Sequence, residues 1–231
     1  MKNIFICGDS FAYTDPEYGV CWVDILANLL DDQTKLINLS SVCASNLAIG
    51  IQVNHAIANQ ADYIIYLATS SVRNDIAFQK IKSAEKSFDR YTDIVKKDKT
   101  KDLASYSIQT IANASSLFTS DQLTILKQYH CEFFDIDLSI EQNHLLIEGT
   151  LSLLESSGIP FSFDQGGFEN KKYTNLKSKN YFKKYKKYFS GINLWDYVSL
   201  PPIYRPYYHI IDPQVHQDIA LHYYKLISNA K

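Results

Sequence analysis

Long apolar runs are missing from this chain of 231 residues. The first apolar stretch covers about five residues, against the roughly 20 that a membrane-spanning helix requires, and no small-residue cleavage site follows it. Neither a secretion signal nor a membrane span is expected, and the expected location is the cytoplasm. Cysteine is sparse: Cys7, Cys21, Cys43 and Cys131 lie far apart and form no CxxC pair. Free thiols are therefore expected instead of a disulfide framework. No histidine and cysteine pair shows zinc-ligand spacing, so neither a metal nor a cofactor is expected. An excess of one charge is missing too, with 23 Lys+Arg against 25 Asp+Glu and a formal net charge of −2. Nothing global draws the chain to nucleic acid or to an anionic membrane. Internal repeats and low-complexity tracts are also lacking.

What is present is enough apolar material for a full core, 46% hydrophobic and 13% aromatic residues, in a length that favours one domain over residues 1–231. Short apolar segments at Asn3 to Cys7, Lys35 to Leu39, Tyr63 to Ala68 and Pro160 to Phe163 read as buried parallel strands, each followed by small or polar residues. Helical patterns lie between them. Trp22, Ile25, Leu26, Leu29 and Leu30 share one face, and Leu47, Ile51 and Ile57 share another with Ala48 and Ala58 beside them. Strand and helix in alternation predict βαβ units in a doubly wound sheet. The stretch from about 77 to 136 breaks that rhythm and reads as a helical insertion, with a helix over Ser120 to Tyr129. After it, Ile140, His144, Ile147, Leu151 and Leu154 recur at helix spacing until Gly158-Ile159-Pro160 stops them.

The chemistry-bearing residues sit behind the strands. Gly8-Asp9-Ser10-Phe11 ends the first strand and delivers a hydroxyl to its carboxyl end, where open α/β sheets keep their ligand crevice. Asn38 to Asn46 follows the second strand, Thr69-Ser70-Ser71-Val72-Arg73-Asn74-Asp75 follows the third, and Tyr208-His209-Ile210-Ile211-Asp212-Pro213 precedes the last helix. In this order the four segments resemble the blocks of the SGNH hydrolases, the GDSL esterase/lipase family. That resemblance implies a three-layer flavodoxin-like α/β fold around a parallel sheet and ester cleavage by a serine nucleophile. It makes Ser10 the nucleophile and His209 the base, with the N–H groups of Ser10 and Cys43 and the amide of Asn74 forming an oxyanion hole. Asp9 is expected to brace the turn by hydrogen bonding to backbone.

Two further roles stay open at this point. His216 competes with His209 for the base, and His209 is favoured because it lies in the loop feeding the last helix. The family's aspartate position, three residues before the histidine, holds Pro206, so Asp212 and Asp196 are the candidates for the triad acid. Asp212-Pro213 also reads as a helix cap followed by proline at the first helical position, which accounts for Asp212 without catalysis. Of the chain's three arginines, Arg73 and Arg205 adjoin blocks and are candidates for binding an anionic substrate. The run from Lys171 to Phe189 interleaves eight lysines with aromatics. A groove for nucleic acid or an anionic glycan is one reading of it, and an amphipathic helix with a solvated lysine face is the favoured one.

The resulting expectation is a serine esterase or deacetylase acting on a small acyl ester or an acylated carbohydrate, with no membrane or nucleic-acid partner. A catalytically degenerate relative that keeps the fold for binding is the main alternative. A phosphate-binding protein using Gly8-Asp9-Ser10 as an anion loop ranks third, because the loop lacks further glycines.

Overall fold

The computed structural model describes residues 1–13, 20–41, 44–71, 74–77, 103–106, 120–166, 179–197, 210 and 212–230, with backbone alone at 74–77, 103–106, 122, 123, 126, 127, 130 and 195. The strands are β1 (Lys2–Cys7), β2 (Thr34–Asn38), β3 (Tyr63–Ala68), β4 (Asn74–Ala77), β5 (Leu103–Tyr106), β6 (Phe161–Gln165) and β7 (Phe189–Asn193). The helices are α1 (Trp22–Leu29), α2 (Asn46–Ala58), α3 (Ser120–Phe133), α4 (Ile136–Ser157), α5 (Asn180–Tyr185) and α6 (Pro213–Asn229). Five strands form one sheet in the order β2-β1-β3-β6-β7, and every neighbouring pair in it is parallel.

The central strand explains why the sheet must be covered on both sides. All six residues of β3 are buried, so its side chains feed two separate cores by strict alternation. Ile64, Tyr66 and Ala68 enter a core with α2, α4 and α5 residues such as Val53, Leu151 and Tyr185. Tyr63, Ile65 and Leu67 enter the opposite core, with Trp22 and Leu26 of α1 and Ile219 and Tyr223 of α6. Each fully buried aliphatic or aromatic side chain there contributes about 1.5–3 kcal/mol relative to exposure. The result is a three-layer α/β arrangement, as the alternating pattern predicts.

The helices follow from their apolar spacing and their ends. In α4, Ile140, His144, Ile147, Leu151 and Leu154 are all buried, the Asp135 carboxylate caps the start, and Gly158 ends the helix at φ 70°. A left-handed residue there suits glycine, which has no Cβ to clash. The buried face of α2 differs from expectation: it consists of Ala48, Ile49, Gln52, Val53 and Ala56, while Leu47, Ile51 and Ile57 are half-buried and Ala58 is exposed. The face is rotated because Gln52, a polar residue among aliphatics, is turned inward to bind the end of β1.

Two other segments depart from the reading of the sequence. The last sheet strand, β7, falls where the lysine and aromatic spacing predicts the tail of a helix. The helix is short: α5 ends at Tyr185, passes through a 3-10 turn over Lys186–Tyr188, and the chain then extends from Phe189. Within α5 the amphipathic reading holds, with Tyr181, Phe182 and Tyr185 buried and Lys183 and Lys184 exposed. Residues 171–178 of that run lie outside the described residues. In the expected insertion the described residues include an antiparallel β4/β5 pair as well as a helix, α3, which leaves Ile125, Tyr129 and Phe133 exposed at four-residue intervals. Residues 78–102 lie outside the description.

His144 ties α4 to α5 through a 2.7 Å contact between its Nδ1 and the Tyr181 hydroxyl. Burial pushes the His144 pKa down to about 4, so the imidazole that meets the phenol at pH 7 is neutral. A depressed folded value gives stability that is present above the ordinary histidine value, about 6.5, and lost as pH falls through the folded one. Urea denaturation from pH 7 to pH 4 is expected to show a steeper loss for the wild type than for His144→Phe, because the variant lacks this titration. The variant is also expected to be less stable at pH 7, by about 1–3 kcal/mol, since the Tyr181 hydroxyl is left unpaired.

Candidate active site at the carboxyl edge of the sheet

The turn after β1 is built around a close approach. A Cβ placed on Gly8 would stand 3.1 Å from the Leu67 Cβ on β3, so only glycine lets the two strand ends meet without displacement. The Gly8 N–H donates to Gln52 Oε1 at 2.8 Å, and the Gly8 carbonyl accepts from the Ser41 N–H at 3.3 Å. The second helix and the second loop thereby grip the residue two positions before Ser10.

Asp9 turns inward. It is fully buried, with Oδ1 accepting from the Phe11 N–H at 3.0 Å and Oδ2 accepting from the Thr69 hydroxyl at 2.6 Å. Its carbonyl accepts from the Ala12 N–H at 3.1 Å, which closes the turn over Ser10. Asp9 therefore braces the turn, as expected, and also joins it to the end of β3. On the far side, Gly166 donates its N–H to the Ala68 carbonyl at 2.7 Å, and a Cβ on it would stand 3.2 Å from both that oxygen and Asp9 Oδ1. Ser10 itself is 7% exposed and sits at the carboxyl edge of β1.

Asn46 organises the next loop. Its side chain holds the Thr69 backbone from both sides: Oδ1 accepts the Thr69 N–H at 3.0 Å, and Nδ2 donates to the Thr69 carbonyl at 3.2 Å. The same Nδ2 donates to the Asn143 Oδ1 of α4 at 2.9 Å. Ser45, just ahead of it, caps α2 by accepting the Ala48 N–H at 3.1 Å. In the β2 loop, Asn38 donates to the Ala12 carbonyl at 2.8 Å and accepts from the Ser40 N–H at 3.0 Å. The edge is thus assembled from neutral amides and hydroxyls around one carboxylate. Local sequence context singles out Ser10 and Asp9, places Asn46 and Thr69 in the loop segments without a role, and gives none to Gln52 or Asn143, because their partners are distant in the chain. The available signal was a polar residue inside an otherwise aliphatic helix face, and Gln52 carries it most clearly.

The other sequence candidates divide. His216 is buried, and both ring nitrogens are taken by backbone: Nδ1 accepts the Trp22 N–H at 3.1 Å, and Nε2 faces the Ile210 carbonyl at 3.1 Å. With Nδ1 accepting, the proton sits on Nε2 and is donated to that carbonyl, and burial lowers the pKa of the ring. Such an imidazole joins α1 to the start of α6 and has no free nitrogen with which to act as a base. Asp212 is exposed and caps α6, accepting the Gln214 N–H at 2.9 Å ahead of Pro213. Asp196 is exposed in the 3-10 turn Leu194–Tyr197. The backbone of Asn74 opens β4, opposite Tyr106, while Thr69, Ser70 and Ser71 directly follow β3. His209, Cys43, Arg73 and Arg205 lie outside the described residues.

Cys7 and Cys21 are buried free thiols and Cys131 an exposed one. Burial pushes the Cys7 thiol far above its ordinary value and Cys21 up to about 12. Neither supplies a thiolate at neutral pH. Among the described residues no cluster of three or more His, Cys, Asp or Glu side chains is placed to hold a metal ion, and no helix is long and apolar enough to cross a membrane.

Two substitutions separate bracing from capping. Asn46→Ala is expected to destabilise the chain by roughly 2–3 kcal/mol in urea, because the buried Thr69 N–H and carbonyl lose the Asn46 amide. Asp212→Ala is expected to cost only about 1 kcal/mol, the usual value of an N-cap. A loss of stability for Asp212→Ala as large as for Asn46→Ala would contradict the assignment of Asp212 as a surface cap.

No protein-family model matches the chain, and no curated protein matches it in sequence.

Proposed function

We propose that the chain is a serine ester hydrolase of the SGNH type, acting on a small acyl ester or an acylated carbohydrate. The observation that carries this reading is the construction of the Ser10 turn. Gly8 permits the approach of β1 to β3, Asp9 ties the turn to Thr69, and the hydroxyl-bearing residue follows at the carboxyl edge of a parallel sheet. A nucleophile gains from such rigid support, because attack requires reacting atoms held about 3 Å apart in a fixed orientation.

In this mechanism His209 takes the Ser10 proton as the hydroxyl oxygen attacks the acyl carbon. Negative charge gathers on the carbonyl oxygen, and the N–H groups of Ser10 and Cys43 with the amide of Asn74 stabilise it by a few kcal/mol each. The alcohol leaves with the proton from His209, and water then releases the acyl group from Ser10. The commitment of both His216 nitrogens to backbone supports His209 as the base. Arg73 and Arg205 are assigned to an anionic group on the substrate.

A second reading, a non-catalytic relative that binds the same class of ligand, is favoured by one observation. Asp212, the candidate acid next to His209 in sequence, caps its own helix and stands exposed to solvent, and capping accounts for it without catalysis. Hydrolysis of p-nitrophenyl acetate, with thermal melts as the folding control, decides between the two. The hydrolase reading expects turnover that falls at least about 10³-fold in Ser10→Ala while the melting temperature is kept. Turnover unchanged in Ser10→Ala would remove the nucleophile assignment, and acetylated sugars that bind intact without turnover would support the second reading.

A further inference from the structure

Away from the Ser10 turn, a second polar cluster lies under the opposite face of the sheet. Asp164 of β6 is fully buried, and three groups donate to it. The Ser190 hydroxyl of β7 reaches Oδ2 at 2.6 Å, the Tyr223 hydroxyl of α6 reaches the same oxygen at 2.9 Å, and the Ile192 N–H of β7 reaches Oδ1 at 3.1 Å. One carboxyl therefore joins the edge strand and the last helix to the body of the sheet. All three donors are neutral. On top of burial, the charge of an ionised Asp164 in turn raises the pKa of the Tyr63 phenol of β3 and of Tyr223.

Ser190 has a second partner. His222 Nε2 of α6 lies 2.9 Å from its hydroxyl oxygen. His222 is half-buried, as Ser190 is, and it is the outermost link of the hydrogen-bonded chain that starts at Asp164. Burial lowers its pKa, and Lys225 nearby lowers it further. Burial without a cation drives the Asp164 carboxyl the other way, up to about 7.

We propose that Asp164, Ser190 and His222 form a proton relay, through which the buried carboxyl exchanges its proton with solvent and the junction of β6, β7 and α6 senses pH. With Asp164 protonated, its O–H donates to Ser190 Oγ, the Ser190 O–H donates to His222 Nε2, and the neutral imidazole carries its proton on Nδ1. Ionisation moves three protons one step each. The carboxyl proton passes to Ser190 Oγ, the former hydroxyl proton passes to His222 Nε2, and the Nδ1 proton leaves to water. The hydrogen bonds then run from His222 to Ser190 to Asp164, one proton has been released, and every group keeps a partner. Both states are fully paired, which is what allows a buried group to change charge without leaving an orphaned donor.

This relay does not rest on the hydrolase reading, although β7 precedes and α6 follows the segment 198–209 that carries His209. The test is NMR on the full chain labelled with ¹³C in aspartate and ¹⁵N in histidine, titrated from pH 5 to pH 9, with Asp164→Asn used to assign the carboxyl signal. If that variant does not fold, through-bond correlation in the wild type assigns it. The expected result is a carboxyl transition for Asp164 with a midpoint above pH 6, and a change of His222 Nε2 from acceptor to N–H with the same midpoint. In Ser190→Ala the Asp164 midpoint is expected to rise, because the ionised form loses a donor, and the His222 tautomer no longer follows it. An Asp164 carboxyl ionised throughout the range overturns the proposal. So does a His222 tautomer indifferent to it, or a coupling that survives Ser190→Ala.

Discussion

Parallel strands that end together in a buried edge present their last N–H and C=O groups to a place where water does not satisfy them, and each orphan there costs on the order of 1–3 kcal/mol. The architecture of the carboxyl edge follows from that constraint. Gln52 takes the N–H at the end of β1, Asn46 takes both backbone groups of Thr69 beyond β3, and Gly166 closes on the Ala68 carbonyl. The side chains doing so come from α2, so the same helix that buries Ile49 and Val53 against the sheet also seals its polar rim. Asn46 is suited to the task because its amide offers a donor and an acceptor in one plane, whereas Gln52 meets β1 with its acceptor alone. Placing Ser10 within this rim makes its surroundings rigid before any ligand arrives.

The strands β1, β2, β3 and β6 and their parallel direction are readable because apolar runs of four to six residues, separated by helical periodicity, admit few other arrangements. Tyr63–Ala68 matches β3 at both ends. The strand β7 was not readable. Phe182, Tyr185 and Phe189 keep a helical interval across a place where the backbone changes from helix through a 3-10 turn to strand, and Gly191, at φ 100°, departs from helical conformation without announcing it in the apolar pattern. Spacing alone does not separate those two outcomes when the segment is short. The α2 face was misjudged for a related reason: counting aliphatics turns the helix toward Ile51 and Ile57, whereas the polar Gln52 decides the orientation because of what it meets.

The site was legible in part, and along the same division. Local chain direction makes the bracing by Asp9 and the capping by Asp212 ahead of a proline visible in their neighbours, and it places Ser10 behind a strand. Roles that depend on a partner far along the chain were not visible. Asn46 acts on Thr69 and Asn143, 23 and 97 positions away, and Asp164 is joined to Tyr223, 59 positions away. His216 illustrates the cost of lacking such information. In sequence it competes for a catalytic role, but its ring is occupied by the backbone of Trp22, 194 positions earlier.

That last distance has a consequence for how the chain is made. Trp22 is wholly buried, with the Tyr223 ring 5.1 Å from its own, and its backbone amide donates to His216. During synthesis at roughly 5–20 residues per second, a chain whose first helix has emerged must wait on the order of ten seconds or more before the segment that covers it is made. Over that interval the apolar face of α1 is open to other partners, and the layer holding α1 and α6 is completed last, although it contains the first helix of the chain.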